Sequence, residues 1–434
     1  MLEKIIQAIR KAGGRPFFVG GYTRDKFLDT SSKDIDIEVF GLTMEKLQEA
    51  LSAFNVDLIG KSFGVLHVEG IDISLPRTDK KVDAGHKGFQ VEHDPNMSLL
   101  EAARRRDFTI NALMSDCITG ELHDMFGGVN DLEGRRLRHV DEKTFVEDPL
   151  RALRALQFAC RFGMDIHPTT AVLCRGMDLS ELPSERILEE LRKFLVKGIS
   201  FYPHGMQALD DTNMWRVFPE LFEMFDTPQD PIHHPEGDVL THTMLALNYA
   251  NQNFNFKDDD HKFKIMLAIL LHDCGKPHTT EFKDGGRISS IGHAKAGADI
   301  AREFIQRFTS EAELIEDVPK LVYSHMIQFE GNIGKPGIRK LSTRINSIDD
   351  LILVCDADSR GRFKERLISF KATVEELGVL NGAPPRLVEY CDLGIEINPP
   401  PRRGEIVREL YDAQIDGKFN TKEEGIAYCL NKLV

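Results

Sequence analysis

The sequence predicts an α+β protein in which a sheet-containing amino-terminal part is followed by helices. Between residues 17 and 126, short runs of strand-forming residues alternate with turn residues and helix-like segments. Beyond Lys143 such runs all but vanish, and apolar residues recur three and four positions apart, as in amphipathic helices. A chain of 434 residues exceeds the size of a single core, so several domains are expected.

Composition predicts a cytoplasmic protein without a membrane partner. The apolar fraction of 41% is ordinary, and no apolar run approaches the ~20 residues of a membrane span. The amino terminus lacks the apolar block of a secretory signal. Seven scattered cysteines, never in C-x-x-C spacing, argue against a disulfide framework and a zinc-thiolate cluster.

The net charge of −14 is unusual for a protein that binds a polyanion. Charge acts by patch rather than by sum, however. Between residues 133 and 200, twelve Lys or Arg stand against eleven Asp or Glu, so the acidic excess lies elsewhere. An RNA partner is therefore not excluded, although charge alone favours a solvated helix face.

Two proline-rich segments interrupt the helical part. Residues 225–238 also contain histidines and separate two helical blocks, and residues 397–405 precede a tail of two short helices. We predict four parts with the bounds 1–140, 141–225, 226–375 and 376–434.

The first candidate site begins at Gly20 and Gly21, which follow an apolar predicted strand. A helix-like segment begins near Arg24, and such a turn exposes backbone N–H groups at a helix start, where anions bind. Glycine also lets a phosphate approach the backbone. The turn alone does not establish a site, because a glycine pair between a strand and a helix is more often only a turn.

Asp34 and Asp36 alternate with two isoleucines on a predicted strand, so both carboxylates share one face. Such a pair can hold Mg²⁺, with substrate phosphates completing its ligands. Two metal ions ~4 Å apart can activate an attacking hydroxyl and stabilise a leaving pyrophosphate. Asp72 is the candidate for a third acid, with an ordinary surface carboxylate as the alternative. The alternative for the pair is an edge strand that charge keeps soluble.

Asp148, Arg151 and Arg154 recur at a spacing of three and are expected to stack along one helix face. An arginine beside a carboxylate can pair with the edge of a nucleobase, because the guanidinium donates hydrogen bonds and the carboxylate accepts them. An internal salt bridge is the alternative.

Five motifs within residues 15–200 occur in the order of a known family. The segments GGYTRD, DID, RRDFTINAL, EDPLRALR and SERILEE resemble those of the CCA-adding tRNA nucleotidyltransferases and bacterial poly(A) polymerases, class II of the polymerase-beta-like nucleotidyltransferases. The resemblance implies a polymerase-beta-like head with a small mixed sheet, followed by an all-helical neck, body and tail.

The resemblance also assigns roles to residues. Asp34 and Asp36 would bind Mg²⁺ and, with Asp72, form the catalytic set. Asp148 and Arg151 would act as a protein template that selects cytosine and adenine over uracil and guanine. Glu185, Arg186 and Glu190 would brace the neck helix. The nucleotide-binding residues would be Gly20, Gly21, Arg24, Arg106, Asp107, Asn111, Asp148, Arg151 and Arg154.

Two details bear on the subclass. Gln157 stands where many relatives carry arginine, so a triphosphate contact is expected to be missing or replaced. The segment 77–98 resembles the flexible loop of members that add the terminal A, which CC-adding members have shortened. Its presence favours an enzyme that can add this A.

A second candidate site comes from four separate segments in the second helical block. Imidazole and carboxylate suit Ni²⁺, Co²⁺, Mn²⁺ or Fe, and an adjacent His-Asp pair at a helix end can share one ion. The pattern resembles that of HD-domain phosphohydrolases, for which it implies phosphatase or 2′,3′-cyclic phosphodiesterase activity. The alternative is a retained fold that only supports RNA binding. The predicted ligands are His242, His272, Asp273 and Asp358, with His293 as a further candidate.

We therefore predict that the chain transfers CMP and AMP from CTP and ATP to the 3′ end of tRNA. The four parts would be the catalytic head, the neck, the HD domain and the tail. Three alternatives remain: a poly(A) polymerase, a partial enzyme that adds only A or only CC, and an RNA-binding protein with an inactive head whose HD site hydrolyses nucleotides. The sequence does not indicate the oligomeric state.

Overall fold

The structure is a computed structural model that describes residues 1–28, 34–59, 65–81, 89–328, 333–362, 364–394 and 401–432. The chain divides into two units, unit 1 (Met1–Phe218) and unit 2 (Pro219–Val434). The division falls just before the proline- and histidine-rich segment at residues 225–238. The other predicted bounds, near residues 140 and 375, stay predictions.

Unit 1 contains a seven-stranded mixed sheet. The strands of the unit are β1 (Arg15–Val19), β2 (Ile35–Phe40), β3 (Val56–Ile59), β4 (Val65–Val68), β5 (Ile71–Ser74), β6 (Arg77–Lys81), β7 (Phe89–His93), β8 (Met114–Asp116), β9 (Leu122–His123), β10 (Arg136–Leu137) and β11 (Asp165–Ile166). The order in the sheet is β3-β4-β5-β2-β1-β8-β9, and only β2 and β5 run parallel among its neighbouring strands. The prediction of a small mixed sheet is confirmed.

The helices of unit 1 flank this sheet and continue beyond it. They are α1 (Leu2–Lys11), α2 (Gly20–Phe27), α3 (Met44–Ala50), α4 (Leu99–Arg104), α5 (Gly128–Glu133), α6 (Glu142–Phe145), α7 (Leu150–Phe162), α8 (Pro168–Gly176), α9 (Ser184–Lys197) and α10 (Met206–Asp211). Short helical turns lie at Thr109–Asn111, Phe201–Gly205 and Met214–Arg216.

Apolar residues cover the sheet on both faces. One buried cluster joins α1 and α3 to the sheet and includes Ile37 and Val39, with Ile35 packed against it. A second cluster on the other face includes Phe17, Phe40 and residues of α4. Since side chains alternate along a strand, β2 directs its acidic residues away from the isoleucines, as the sequence predicts.

Helix α7 is the main element after the sheet. Its apolar residues recur at helical spacing, and it packs against α9. It begins directly after Pro149, which suits a first-turn position, and it ends at Gly163, whose φ of 60° is the left-handed conformation that terminates helices.

Unit 2 is helical in its described residues, apart from one small ribbon. Its helices are α11 (Pro219–Met224), α12 (Val239–Asn253), α13 (Asp259–Leu271), α14 (His293–Gln306), α15 (Ala312–Ser324), α16 (Lys335–Ser342), α17 (Ile348–Ser359), α18 (Lys364–Glu376), α19 (Pro401–Ile415) and α20 (Lys422–Lys432). The ribbon pairs β12 (Glu281–Phe282) with β13 (Ile288–Ser289), and short turns lie at Asp284–Gly286, His325–Gln328 and Tyr390–Leu393. The prediction of a largely helical chain beyond Lys143 is confirmed.

Two predicted segments are only partly described. Within the segment 77–98, β6 and β7 form an antiparallel ribbon, and residues 82–88 lie outside the described residues. Within the interruption at 397–405, residues up to 400 lie outside them, and α19 begins at the next residue.

Two further findings concern the predictions about membrane spans and disulfides. In the part of the chain that the structure describes, no helix combines the length and the apolar character that a bilayer crossing needs. All seven cysteines are free thiols.

Two candidate functional sites

A cavity of about 490 Å³ in unit 1 collects nearly all residues predicted for the first site. Asp72 is the one predicted residue that does not line it. The predicted residues that do are Gly20, Gly21, Arg24, Asp34, Asp36, Arg106, Asp107, Asn111, Asp148, Arg151 and Arg154. The wall is therefore built from the β1–α2 turn, β2, the segment after α4 and α7.

Gly20 is the first residue of α2 and lies close to two charged groups. Its φ is 60°, a conformation that favours glycine. A Cβ atom at this position would lie 3.6 Å from Oδ2 of Asp36 and 3.8 Å from Nη1 of Arg106. The absent side chain thus leaves space between a carboxylate and a guanidinium at the start of a helix.

Asp34 and Asp36 face this space from β2 and the residue before it. Burial raises the pKa of Asp36, and the charge of Arg106 opposes that shift. A carboxylate that burial disfavours in its charged form is stabilised by a cation. The pair therefore fits a divalent ion with hard oxygen ligands, such as Mg²⁺.

Asp72 lies beside Asp36 in a different environment. The two residues are direct partners in the parallel register of β2 and β5. The Asp72 carboxylate is half exposed, and its Oδ1 lies 2.7 Å from Nδ1 of His67. Its place near the pair suits a third acid, but its catalytic role stays a prediction.

A buried network connects the sheet to α7. Arg24 is 3% exposed, and its Nη1 donates to Oδ1 of Asn111 over 2.6 Å. Asn111 Nδ2 in turn donates to Asp107 Oδ1 over 2.9 Å, and Arg154 Nη2 lies 2.6 Å from Asp107 Oδ2. Burial alone would raise the pKa of Asp107, but Arg154 and Asn111 lower it to about 2. The network thus connects Arg24, through Asn111, to the carboxylate that pairs with Arg154.

The expected stack of Asp148, Arg151 and Arg154 on one helix face is wrong in one respect. Asp148 precedes α7, because Pro149 occupies the start of the helix, and Asp148 Oδ1 accepts a hydrogen bond from Leu150 N. Arg151 donates to the carbonyl oxygens of Thr144 and Arg105, each over 2.8 Å. All three predicted side chains still line the same cavity.

Helix α9 braces this region through ion pairs. Arg186 Nη2 lies 3.6 Å from Asp148 Oδ2, and Glu190, which is 3% exposed, lies 4.0 Å from Arg154 Nη1. Glu185 is exposed on the same helix. The brace predicted for this segment thus has contacts at two of its three residues.

Some cavity residues were not predicted. Arg77, Arg105, Arg161 and Lys197 line it as well. Arg161 follows Arg154 by seven residues, a spacing that returns to the same helix face, and could have been found by it. Gln157 is buried and does not line the cavity, and the triphosphate contact expected to be missing or replaced at this position stays a prediction.

The second site is a buried cluster in unit 2. His242 lies on α12, His272 follows α13, and Asp358 lies near the end of α17. The Nε2 atom of His242 is 3.0 Å from Asp358 Oδ1, and that of His272 is 3.2 Å from Asp273 Oδ2. These four side chains are at most 8% exposed.

Two further histidines meet the other oxygen of Asp273. Oδ1 lies 3.4 Å from Nε2 of His293 and 3.7 Å from Nε2 of His325. The sequence analysis missed His325, which follows α15 without a recognisable motif. Asp273 therefore stands between two groups of candidate ligands, one with His242 and His272 and one with His293 and His325.

The backbone fixes the tautomers of these rings. Nδ1 of His272, His293 and His325 each lies 2.6–2.7 Å from a carbonyl oxygen, to which it must donate. Nδ1 of His242 lies 2.7 Å from the Glu236 carboxylate. A neutral ring carries one proton, so each Nε2 presents a lone pair to the cluster.

These lone pairs fit a metal ion. The Nε2 atoms of His293 and His325 are 3.2 Å apart, although neither neutral ring can donate to the other. Within the described residues, neither His272 Nε2 nor Asp273 Oδ1 has a hydrogen-bond partner. Burial alone would lower the pKa of His272, yet Asp273 and Asp358 raise it to about 10, so without a metal ion this ring would carry a second proton on Nε2, and a bound metal cation would take the place of that proton. Imidazole and carboxylate suit a transition metal.

A cavity of about 420 Å³ opens onto this cluster. Asp273, His293, His325 and Asp358 line it together with Lys276. The Lys276 ammonium lies 2.6 Å from Asp273 Oδ2 and donates to Gln229 over 2.7 Å. A cation at the mouth of a metal-ligand cluster suits an anionic substrate.

Many residues of the first site, and all the candidate metal ligands of the second, lie in regions that match known families. Residues 16–138 match the family described as the Poly A polymerase head domain, and residues 239–361 match the HD domain. The multifunctional CCA protein of Halorhodospira halophila is 34% identical over 362 residues, which are 79% of this chain and 83% of the relative. That of Pasteurella multocida is 35% identical over 369 residues, 80% of this chain and 84% of the relative.

The chain belongs to the family of multifunctional CCA proteins. Solved structures of CCA-adding enzymes share its fold. The Bacillus stearothermophilus enzyme in complex with CTP aligns over 99% of this chain and 96% of its own, with a TM-score of 0.70 and 19% identity. The Thermotoga maritima enzyme complexed with tRNA aligns over 100% and 95%, with a TM-score of 0.59 and 20% identity. Membership confirms the prediction of a nucleotidyltransferase with an HD domain.

Proposed function

We propose that this chain adds CMP and AMP from CTP and ATP to the 3′ end of tRNA without a nucleic-acid template. One observation carries the proposal: residues from four separate motifs, spread from Gly20 to Arg154, line a single cavity of unit 1. The CTP and tRNA complexes of the two solved relatives support the substrates.

The charges of the cavity suit a nucleoside triphosphate. Arg24, Arg106 and Arg154 line it beside the amino-terminal end of α2, and guanidinium groups bind phosphate oxygens well. Asp34 and Asp36 would hold Mg²⁺, which when bound lowers the charge barrier between the triphosphate and an attacking hydroxyl. The protein itself contributes alignment and charge neutralisation.

Base selection would fall to Asp148 and Arg151. Both carry fixed orientations, since Asp148 accepts from the start of α7 and Arg151 donates to two carbonyl oxygens. A carboxylate and a guanidinium together can accept from the amino group and donate to the ring of cytosine or adenine. At these positions uracil and guanine have an acceptor in place of the amino donor, and a donor in place of the ring acceptor.

The test is to incubate tRNA that lacks its last three nucleotides with CTP, with ATP, and with both, and to sequence the ends. The proposal expects two C residues with CTP alone and CCA with both. Addition of CC alone with both nucleotides present would identify a CC-adding enzyme, and addition of A only to a second tRNA that already ends in CC would identify an A-adding enzyme. A ladder of A residues with ATP alone would identify a poly(A) polymerase. No incorporation under any condition would contradict a working head.

We propose a second, phosphohydrolase function for unit 2, in which the cluster holds two transition-metal ions. Asp273 would bridge them, because its two oxygens face different histidine groups. Lys276 would bind the phosphate of the substrate, and Ni²⁺, Co²⁺ or Mn²⁺ would polarise it and activate water.

Metal content tests this second proposal. A chain with Asp34→Ala and Asp36→Ala, dialysed against Mn²⁺ and then against buffer, should retain about two ions per chain by mass spectrometry. Adding His325→Ala should leave about one. Retention of one ion in both proteins would show that His293 and His325 bind no metal, and retention of none would contradict the whole site.

A further inference from the structure

Glu38 is a buried charge that the proposed chemistry does not use. It lies on β2, two residues after Asp36, and therefore on the same strand face as the acidic pair. Its side chain is 0% exposed. On that face its neighbours in the second apolar cluster are Phe17 and Phe40, so an apolar residue would pack there without the cost of burying a charge.

The two oxygens of Glu38 hold two different arginines. Arg105 Nη2 lies 3.0 Å from Oε1, and Arg106 Nη2 lies 3.2 Å from Oε2. Both guanidinium groups line the cavity, and both are about three-quarters buried at 22% and 24% exposure. One carboxylate thus orients two adjacent cations at a wall of the proposed triphosphate site.

Arg106 has another carboxylate within reach. Its Nη1 faces Asp36 Oδ2 across the open position at Gly20, where a Cβ atom would lie within 4 Å of both. If Glu38 did not bind Nη2, this guanidinium could regain an ion pair by moving toward Asp36. A guanidinium paired with Asp36 would compete with a divalent cation for the same oxygen.

Arg105 extends the effect to base selection. Its carbonyl oxygen accepts a hydrogen bond from Nη2 of Arg151. The side chain of Arg105 is tied to β2 through Glu38, and its backbone supports the proposed template residue. Glu38 therefore supports Arg106, which is proposed to bind phosphate, and, through Arg105, Arg151, which is proposed to bind the base.

We propose that Glu38 is a positioning residue for nucleotidyl transfer, which holds Arg106 away from Asp36 and so leaves that carboxylate to a divalent cation. This inference rests on the proposed function of unit 1. It assigns to Glu38 no contact with substrate and no metal ligation, because both of its oxygens are engaged by arginine.

The test compares Glu38→Gln with wild type in the Mg²⁺ dependence of CMP incorporation into tRNA that lacks CCA, and in Mg²⁺ binding to the protein without tRNA by titration calorimetry, where the affinity should fall in the same proportion. Glutamine keeps the shape and removes the charge that binds both arginines. We expect the Mg²⁺ concentration at half-maximal rate to rise about tenfold, with a rate at saturating Mg²⁺ close to that of wild type. Glu38→Asp, which keeps the charge but is one methylene shorter, should show a smaller rise. Glu49→Gln, an exposed position on α3, is the matched control and should change nothing.

The outcomes separate positioning from structural support. A structural defect lowers the rate at every Mg²⁺ concentration. If Arg106 merely competes with Mg²⁺ for Asp36, excess Mg²⁺ restores the rate. A folded Glu38→Gln chain with the wild-type Mg²⁺ midpoint, or with a loss that Mg²⁺ does not repair, overturns the inference. If Glu38→Gln does not fold, Glu38→Asp decides by the same measurement, and an unchanged midpoint overturns it. A wild-type chain that incorporates no nucleotide defeats the proposed function instead.

Discussion

The cavity of unit 1 and the cluster of unit 2 use charge in opposite ways. In unit 1, guanidinium groups surround carboxylates in a cavity lined by long, partly exposed side chains. In unit 2, four histidines and two aspartates are almost fully buried, and Lys276 supplies a cation at the mouth. The first arrangement suits a large, highly charged substrate that brings its own metal, and the second suits resident metal ions and a single phosphate.

The difference also teaches that the two sites should fail independently. Each is built from residues of its own unit. The first is proposed to bind a nucleoside triphosphate, and the second is proposed to bind metal ions. Substitutions in one site are therefore controls for the other. The predictions below use this independence, beginning with the largest expected effect.

Replacement of Asp36 with Ala should lower CMP incorporation by ~1,000-fold or more, because several kcal/mol of charge stabilisation at the reacting phosphate is lost. The Mn²⁺ content of unit 2 should not change. The measurement is incorporation of labelled CTP alongside mass spectrometry of bound metal. Asp57→Ala, an exposed position on β3, is the control. Retained incorporation in the Asp36 variant would refute the metal role of that carboxylate.

Replacement of His272 with Ala should lower hydrolysis of a 2′,3′-cyclic nucleotide by at least ~100-fold, since a ligand of the buried cluster is lost. Incorporation of CMP should stay at the wild-type rate. His278→Ala removes an exposed histidine outside the cluster and should affect neither activity. If the His272 variant lost incorporation while remaining folded, the independence of the two sites would be wrong.

The double replacement of Asp148 and Arg151 with Ala should relax base choice roughly tenfold or more, because the pattern of donors and acceptors that rejects UTP and GTP is removed. The measurement is the ratio of incorporation from CTP and UTP into the same tRNA. A variant that keeps the wild-type preference among the four nucleotides would dismiss the template role.

Replacement of Asp107 with Asn should have the smallest effect, on stability. Folding lowers the pKa of this carboxyl from 3.8 to about 2, so its ionised form stabilises the folded chain above pH 3.8 by about 2 kcal/mol. That contribution is lost as pH falls from 3.8 towards 2. The variant should therefore melt below wild type at pH 7, and the difference should shrink below pH 3.8.

Fluorescence of Trp215, the single tryptophan of the chain, reports this melting because it lies in unit 1. Asp57→Asn is the control at an exposed site. An equal difference in melting temperature at pH 7 and at pH 3 would contradict the assignment of the stabilising charge to Asp107.

Local patterns predicted the parts of the sites that depend on local geometry. The alternation around Asp36 placed two acids on one face, and Gly20 marked the turn where a side chain would intrude. The adjacent pair at His272 predicted a ligand group at a helix end. Each of these needs only a few neighbouring residues and the period of a strand or helix.

Contacts between distant segments could not be predicted in this way. Glu38 appears in the sequence as one more acidic residue, and its engagement of Arg105 and Arg106 depends on the packing of α4 against the sheet. His325 reaches Asp273 because α15, which it follows, packs against α13, which ends just before Asp273. The helix expected to include Asp148 begins later, since Pro149 sets its first turn.

The carbonyl anchors of His272, His293 and His325 have a further consequence. Rings whose orientation the backbone sets do not need an incoming ion to organise them, so a bound ion should lose little free energy to ligand ordering, and ions whose radius fits the fixed Nε2 positions should be favoured. Selection among nickel, cobalt and manganese would then depend on how well each ion fits this preset geometry as well as on its affinity for nitrogen donors.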